Sequence, residues 1–422
     1  MTEDFLHFIW KFKNFAPNNL KTIDGKPVKI IKTGEHNTNA GPDFFNAQLL
    51  IDDTHWAGNV EIHVKTSDWV AHNHSSDPAY DNIILHVVFH HDMDIAVPEN
   101  RPVLALKKYV SDQTIANFDI LKQNHHLIPC ESLIDKVDDM IKRTWLDRML
   151  TERLESKALQ IKKLLDHNKN DWAETAYQLT GRNFGFKVNG EPFERLTRAI
   201  PHKTLAKHKN SIHQIEAMLF GQAGFLQDAF KDPYPIALKK EFRFLAGKYN
   251  FNPSRKSDWK FLRLRPGNFP TVRISQFAAL IYRSEHLFSK ILEVDDIKTA
   301  LSFFTVQAND YWKNHYSFES PAASKSTGEL GKESKYNLVI NTVAPLLFSY
   351  GHIKNEQKYK ETAIHLLENC PKELNTITKT SVALGLLNEH ACHSQGLIHL
   401  RNEYCKNQKC LDCGIGVAAL KK

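Results

Sequence analysis

The sequence predicts an α/β N-terminal domain, a mixed sheet flanked by helices, followed by a mostly α-helical region that ends in a cysteine-bearing tail. Three observations predict it. Before about residue 125, short runs alternate polar and apolar residues, and one run is almost wholly apolar and branched. From about Ile134 onward, apolar residues recur at helical spacing. Three of the six cysteines crowd the C-terminus. The expected divisions are 1–125, 126–390 and 391–422.

Phe5, Phe8, Ile9 and Phe12 predict a helix over Glu3 to Phe15. Val28 to Ile31 reads as a short strand. Ala47 to Ile51 and Asn59 to Lys65 read as two strands joined through the polar turn at Asp52, Asp53 and Thr54, with Gly58 beyond it. Asn82 to Phe89 (NIILHVVF) has the character of a buried central strand, and Val103 to Leu106 adds another. Helical spacing then recurs in Trp145 to Leu165, Ile212 to Phe230, Pro235 to Tyr249, Ile274 to Leu292, Asp296 to His315 and Tyr359 to Leu367. The Ser/Gly/Lys-rich stretch Glu319 to Lys335 reads as a mobile loop.

Of 422 residues, 42% are hydrophobic and 24% charged, so two or three domains can bury cores without disulfide staples. Six cysteines are too few for a disulfide scaffold. The opening MTEDFLHFIWKFKNFA has no basic n-region, and the longest apolar run, Leu338 to Tyr350, is too short for a membrane span and holds Asn341 and Pro345. A soluble, cytoplasmic protein without a membrane partner is expected. The net charge of +7 is compatible with a polyanionic partner such as nucleic acid.

The chemistry concentrates in Gly41 to Lys65 (GPDFFNAQLLIDDTHWAGNVEIHVK). Strand residues alternate faces, so Val60, Ile62 and Val64 point into a core while Glu61, His63 and Lys65 share the other face. Asp43 stands just before the preceding strand. If the two strands pair antiparallel, Asp43 and Glu61 converge at one end of the hairpin. Two such carboxylates repel unless a cation lies between them, and oxygen ligands suit Mg²⁺ or Mn²⁺. Glu35, in the loop ahead of Asp43, is a further candidate ligand, and Glu3 reads more simply as a solvated helix residue. Downstream, His72, His74 and His86 are candidates to surround a scissile phosphate, His86 having a competing reading as a hydrogen-bonded core histidine. His90, His91 and Asp92 read as a solvated turn. A JAMM-type zinc site needs an acid further downstream than Asp77, and an HD phosphohydrolase needs helices around His91-Asp92.

The Pro42-Asp43 pair and Glu61-Ile62-His63 resemble the two motifs of the PD-(D/E)xK nuclease superfamily, with His63 where that pattern has lysine and Lys65 two residues on along the same face. The resemblance covers residues 1 to 110. It implies a restriction-endonuclease-like sheet and a metal-dependent nuclease: Asp43 and Glu61 holding the ion, His63 and Lys65 activating water or stabilising charge.

Two further features lie downstream. Cys405, Cys410 and Cys413, spaced C-x4-C-x2-C with Gly414 and Gly416 beside them, suit a zinc ion or an iron–sulfur cluster. Cys392 or His393 is the nearest fourth ligand. Lys260, Arg263, Arg265 and Arg273, set among aromatic residues and prolines, are candidates to contact nucleic-acid phosphates.

The whole chain is also similar to a bacterial family designated only as a domain of unknown function, DUF 2851. The residues that carry this are Glu3 to Trp10, Ala40 to Phe44, Trp56 to His63, Ser67 to Trp69, Ile84 to Val88, Phe220 to Gly224, Arg263 to Pro270 and Tyr404 to Gly416. That similarity implies a bacterial source and carries no activity with it. The residues themselves lead to a Mg²⁺- or Mn²⁺-dependent nuclease or phosphodiesterase. The alternatives are a nucleic-acid-binding protein with a degenerate nuclease fold, or a structural or interaction protein.

Overall fold

The computed structural model describes residues 1–94 and 101–421. The chain forms two compact units: Met1–Leu146 with Lys379–Leu387 and Ile398–Lys422, and Asp147–Thr378 with Asn388–Leu397. The tail, read from the sequence as a segment of its own over 391–422, is divided: Ile398–Lys422 belongs to the same unit as the N-terminal sheet, and the residues before it to the second unit.

The first unit is built on helix α1 (Glu3–Lys11) and strands β1 (Val28–Lys32), β2 (Glu35–His36), β3 (Phe44–Ile51), β4 (Thr54–Lys65), β5 (Ile83–His90) and β6 (Val103–Ala105). The sheet order is β1-β3-β4-β5-β6, with β2 alongside β3. The β1–β3 and β3–β4 pairs are antiparallel, whereas β4–β5 and β5–β6 are parallel. The expected mixed sheet is present, and β4 is the strand at which the pairing changes direction.

Helix α1 stops at Lys11 rather than Phe15 because Lys13 adopts φ 48°, with Lys13 N–H bonded to the Trp10 carbonyl and Asn14 N–H to that of Ile9. This left-handed C-terminal cap ends the helix whatever the apolar spacing beyond it. Phe5, Leu6, Phe8, Ile9 and Trp10 are buried, and Phe5 stacks on Phe118 at 4.0 Å between ring centroids. Each such side chain contributes roughly 1.5–3 kcal/mol, so α1 is a firm platform for its polar residues. Strand β5 is buried at every position but its last, as its continuous apolar character predicts. The turn between β3 and β4 places Asp52 at φ 54°, a conformation that Asp tolerates better than most residues. A bulge between Phe44 and Ala47, with Asn46 at φ 57°, interrupts the β3–β4 register next to Asp43. Beyond the sheet, helices α2 (Asp68–Ala71) and α3 (Asp112–Gln123) follow in this unit.

The second unit is helical, with a core containing the fully buried Phe184, Phe193, Phe220, Phe277 and Trp312. Two expected helices are broken. Ile274 to Leu292 divides into Pro270–Arg283 and Leu287–Leu292, where His286 takes φ 51°. Of Asp296 to His315, only Ile297–Ser302 is α-helical. The stretch read as a mobile loop is tied down: its Glu319 carboxylate accepts the backbone N–H groups of Lys231 and Asp232 at 2.7 and 2.8 Å, and Lys332–Leu338 is helical. Among the described residues no helix is long and apolar enough to cross a membrane.

Candidate metal and catalytic site

The hairpin of β3 and β4 brings Asp43 and Glu61 together as their spacing predicts. The Asp43 N–H donates to Glu61 Oε2 at 3.2 Å, and the Ile62 N–H donates to Asp43 Oδ2 at 2.9 Å. Asn37 shapes the loop that delivers Asp43: its side-chain N–H₂ donates to the Asn39, Ala40 and Pro42 carbonyls, and Gly41 in that loop takes φ 98°.

Glu61 and His63 do share a face of β4, but that face is covered: they are only 4% and 1% exposed. The segment after β4 folds back over it. Trp69 on α2 is fully buried against the histidine cluster, and its indole N–H donates to Ser75 Oγ at 3.0 Å. His74 Nε2 reaches 3.3 Å from Glu61 Oε1, and the His74 ring lies 3.9 Å from that of Tyr80. His63 sits between two imidazoles, with Nδ1 2.9 Å from His86 Nε2 and Nε2 3.1 Å from His72 Nδ1. His63 Nε2 is also 3.6 Å from Glu61 Oε1. The parallel register places His86 directly beside Glu61. His63, His72 and His74 each offer a ring nitrogen within 4.8 Å of the others, a spacing that suits one metal ion.

Burial governs the protonation of this cluster. It pushes Glu61 up to about 9, assisted by the Asp43 charge. It pulls His63 down to about 2 and His86 down to about 3, with neighbouring imidazoles acting in the same direction. Burial, then the charges of Glu61 and Asp43, push Tyr80 up to about 12. The buried imidazoles are thus neutral, the form that ligation of a cation requires, whereas Glu61 would have to give up its proton to a bound ion. The buried His86 Nδ1 has no hydrogen-bond partner in the protein. Such an orphaned atom is uncommon in protein interiors and points to a further group at the site.

Helix α1 supplies two members that the sequence reading missed or set aside. Glu3, expected to be solvated, is half-buried and held above its usual range by burial, in the field of His72 and Asp43. His7 Nε2 lies 3.2 Å from Asp43 Oδ2. Burial acts to lower His7, but the Asp43 carboxylate outweighs it and raises it. Their i,i+4 spacing, on a helix otherwise apolar toward the core, was the available clue. Tyr80 and Trp69 carried no comparable mark.

Three expected members lie elsewhere. Glu35 is exposed and paired with Lys32 at 3.0 Å, because β2 turns it toward solvent. Lys65 is exposed at the far end of β4, where its charge acts on His90 and Asp92. Arg273 is 4% exposed, stacked 4.7 Å from the Phe186 ring and bonded to Gln276, Asn268 and Ser334, so it is a core residue without access to a phosphate. Lys260, Arg263 and Arg265 are exposed. In the second unit, Glu389, His390 and His393 form another group at metal-like spacing.

No curated protein and no solved structure matches the chain. A family model described as "Protein of unknown function (DUF2851)" matches residues 3–376, and the chain belongs to that family.

Proposed function

We propose that this chain is a metal-dependent phosphodiesterase acting on nucleic acid. The observation that carries the reading is the grouping of His63, His72 and His74 at metal-like spacing, with Glu61 against His63 and His74 and Asp43 bonded to Glu61. A sheet that carries Asp43 and Glu61 side by side is also what the resemblance to the PD-(D/E)xK nucleases implies. The donor set fits a divalent cation. Its mixture of carboxylate oxygens and imidazole nitrogens suits Mn²⁺ or Zn²⁺ better than Mg²⁺, which favours oxygen. A bound ion would supply Lewis acidity and a water of lowered pKa.

The chain's own residues then divide the work. Asp43, Glu61 and the three histidines hold the cation. His86 orients His63 through their shared hydrogen bond. His7, raised by Asp43, is placed to meet the negative charge of a phosphate. His72, exposed at the rim, is the ligand of the three that faces solvent. Lys260, Arg263 and Arg265 are the exposed cations offered to a polyanion.

The test is cleavage of single- and double-stranded DNA and RNA with Mn²⁺, Zn²⁺ or Mg²⁺, against an Asp43→Ala control. Metal-dependent cleavage lost in the control supports the reading. No cleavage and no binding of any of the three ions would sink it. His63 favours a second reading, a nucleic-acid-binding module without catalysis, because a neutral imidazole stands where the nuclease motif has an ammonium. That reading expects nucleic-acid binding that survives Asp43→Ala unchanged.

A further inference from the structure

The C-x4-C-x2-C tail lacks a fourth ligand. The neighbours expected to supply it are otherwise engaged: the Cys392 thiol points at the Ile364 carbonyl, 3.7 Å away, and His393 Nδ1 accepts the Glu389 N–H at 3.2 Å. The fold brings another cysteine to the tail from far upstream. Cys130 is buried in a turn closed by the Leu133 N–H on its carbonyl at 2.9 Å and by Asn124 Nδ2 on the Pro129 carbonyl at 3.0 Å. That turn abuts the tail: Gln408 Nε2 lies 3.1 Å from His125 Nδ1, and Pro129 and Cys405 line the same groove of about 300 Å³. Beyond its own burial, the groups acting most strongly on the Cys130 thiol are Cys413, Cys405 and Cys410.

The tail is shaped around these sulfurs. The Cys413 N–H bonds to the Cys410 carbonyl at 3.3 Å. A side chain at Gly416 would place its Cβ 2.3 Å from the Cys410 carbonyl oxygen, so the turn requires glycine. The Cys413 sulfur is faced by the backbone N–H groups of Gly416 and Ile415 and by the Trp145 side chain, the kind of donors that stabilise a metal-bound thiolate. All six cysteines are free.

We propose that Cys130, Cys405, Cys410 and Cys413 are the four thiolate ligands of an iron–sulfur cluster. Spacing favours a cluster over one zinc ion. With Zn–S bonds of ~2.3 Å, tetrahedral thiolates stand about 3.8 Å apart. Among the described residues, the groups with ligand atoms within 4.8 Å of one another contain no cysteine. A cluster spreads its thiolates over several irons and accommodates wider spacing. Binding displaces the four thiol protons. The assignment stands whether or not the N-terminal site cleaves phosphodiesters.

The experiment is iron, sulfide and zinc analysis of the full chain purified without oxygen, with absorption and EPR spectra before and after dithionite. About four irons and four sulfides per chain are expected for a cubane. Cys130→Ser should lose most of both, while Cys370→Ser and Cys392→Ser keep them. Zinc without sulfide, no metal at all, or unchanged iron in Cys130→Ser would overturn the proposal. Should Cys130→Ser fail to fold, alkylation mapping of the wild-type chain decides: stripping the iron should expose Cys130, Cys405, Cys410 and Cys413 together, and exposure of the tail cysteines alone counts against it.

Discussion

At neutral pH and without a cation, Glu61 retains a proton, because burial and Asp43 push it up to about 9. A divalent ion would replace that proton. Glu61→Gln keeps an acceptor for the Asp43 N–H but removes the charge, so Mn²⁺ affinity measured by calorimetry should fall at least ~10-fold. His86→Ala removes the partner that fixes the His63 ring and should cost about 10–100-fold in the same measurement. Glu35→Ala and Lys65→Ala, both exposed, should leave the affinity unchanged. A second buried acid gives a pH test away from this site. Glu216 accepts from Ser275 Oγ at 2.8 Å and Asn309 Nδ2 at 3.3 Å, and burial pushes it up to about 7. Its folded value lies above its unfolded one, so its contribution is fully present below 4.5 and is lost as the pH rises through 7. Glu216→Gln should therefore gain on the wild type between about pH 4.5 and pH 7, by roughly 1–3 kcal/mol, and hold a constant lead above that. Urea midpoints across that range check it. Asp43, Glu61 and His63 were legible in the sequence because strand alternation and one turn bring them together. His7 was not, because its partner Asp43 is reached through packing of α1 on the sheet, which no local spacing encodes.

Among the elements, β4 carries the site and depends on its neighbour. A Cβ at Gly58 would fall 2.5 Å from Ile84 Cγ2 and 2.8 Å from the Asn82 carbonyl. Gly58→Ala must therefore displace β5, which holds His86. It should cost about 1–3 kcal/mol in chemical denaturation and lower metal affinity as well. Unchanged affinity would show that β5 need not be held against β4. The strands were readable because alternation in β4 and a continuous apolar run in β5 reflect one-sided and two-sided burial. The breaks in the helices were less so. They fall at Lys13 and His286, residues with φ 48° and 51° whose types do not announce a left-handed conformation.

For the molecule as a whole, the net charge of +7 matters through the cations that remain exposed. If Lys260, Arg263 and Arg265 contact phosphates, replacing all three by alanine should reduce the salt dependence of nucleic-acid binding by a log–log slope of about 2–3. Arg273→Ala should leave that slope unaltered and instead destabilise the fold by roughly 2–3 kcal/mol, because it strands the polar groups bonded to a buried guanidinium. Fluorescence titration at several salt concentrations and thermal melts separate the two effects.

By itself, the sequence determined the mixed sheet, the helical character of the rest, and the pairing of Asp43 with Glu61. All of these follow from periodicity and chain-local geometry, which are encoded within a few residues. Only the tertiary structure decided that the polar face of β4 is sealed by Trp69, His74 and Tyr80. It alone placed His7 beside Asp43 and Glu3 within the field of that carboxylate, withdrew Arg273 into a core and brought Cys130 to the tail. Those facts depend on which distant segments pack together, and burial then sets the charge states of the groups enclosed.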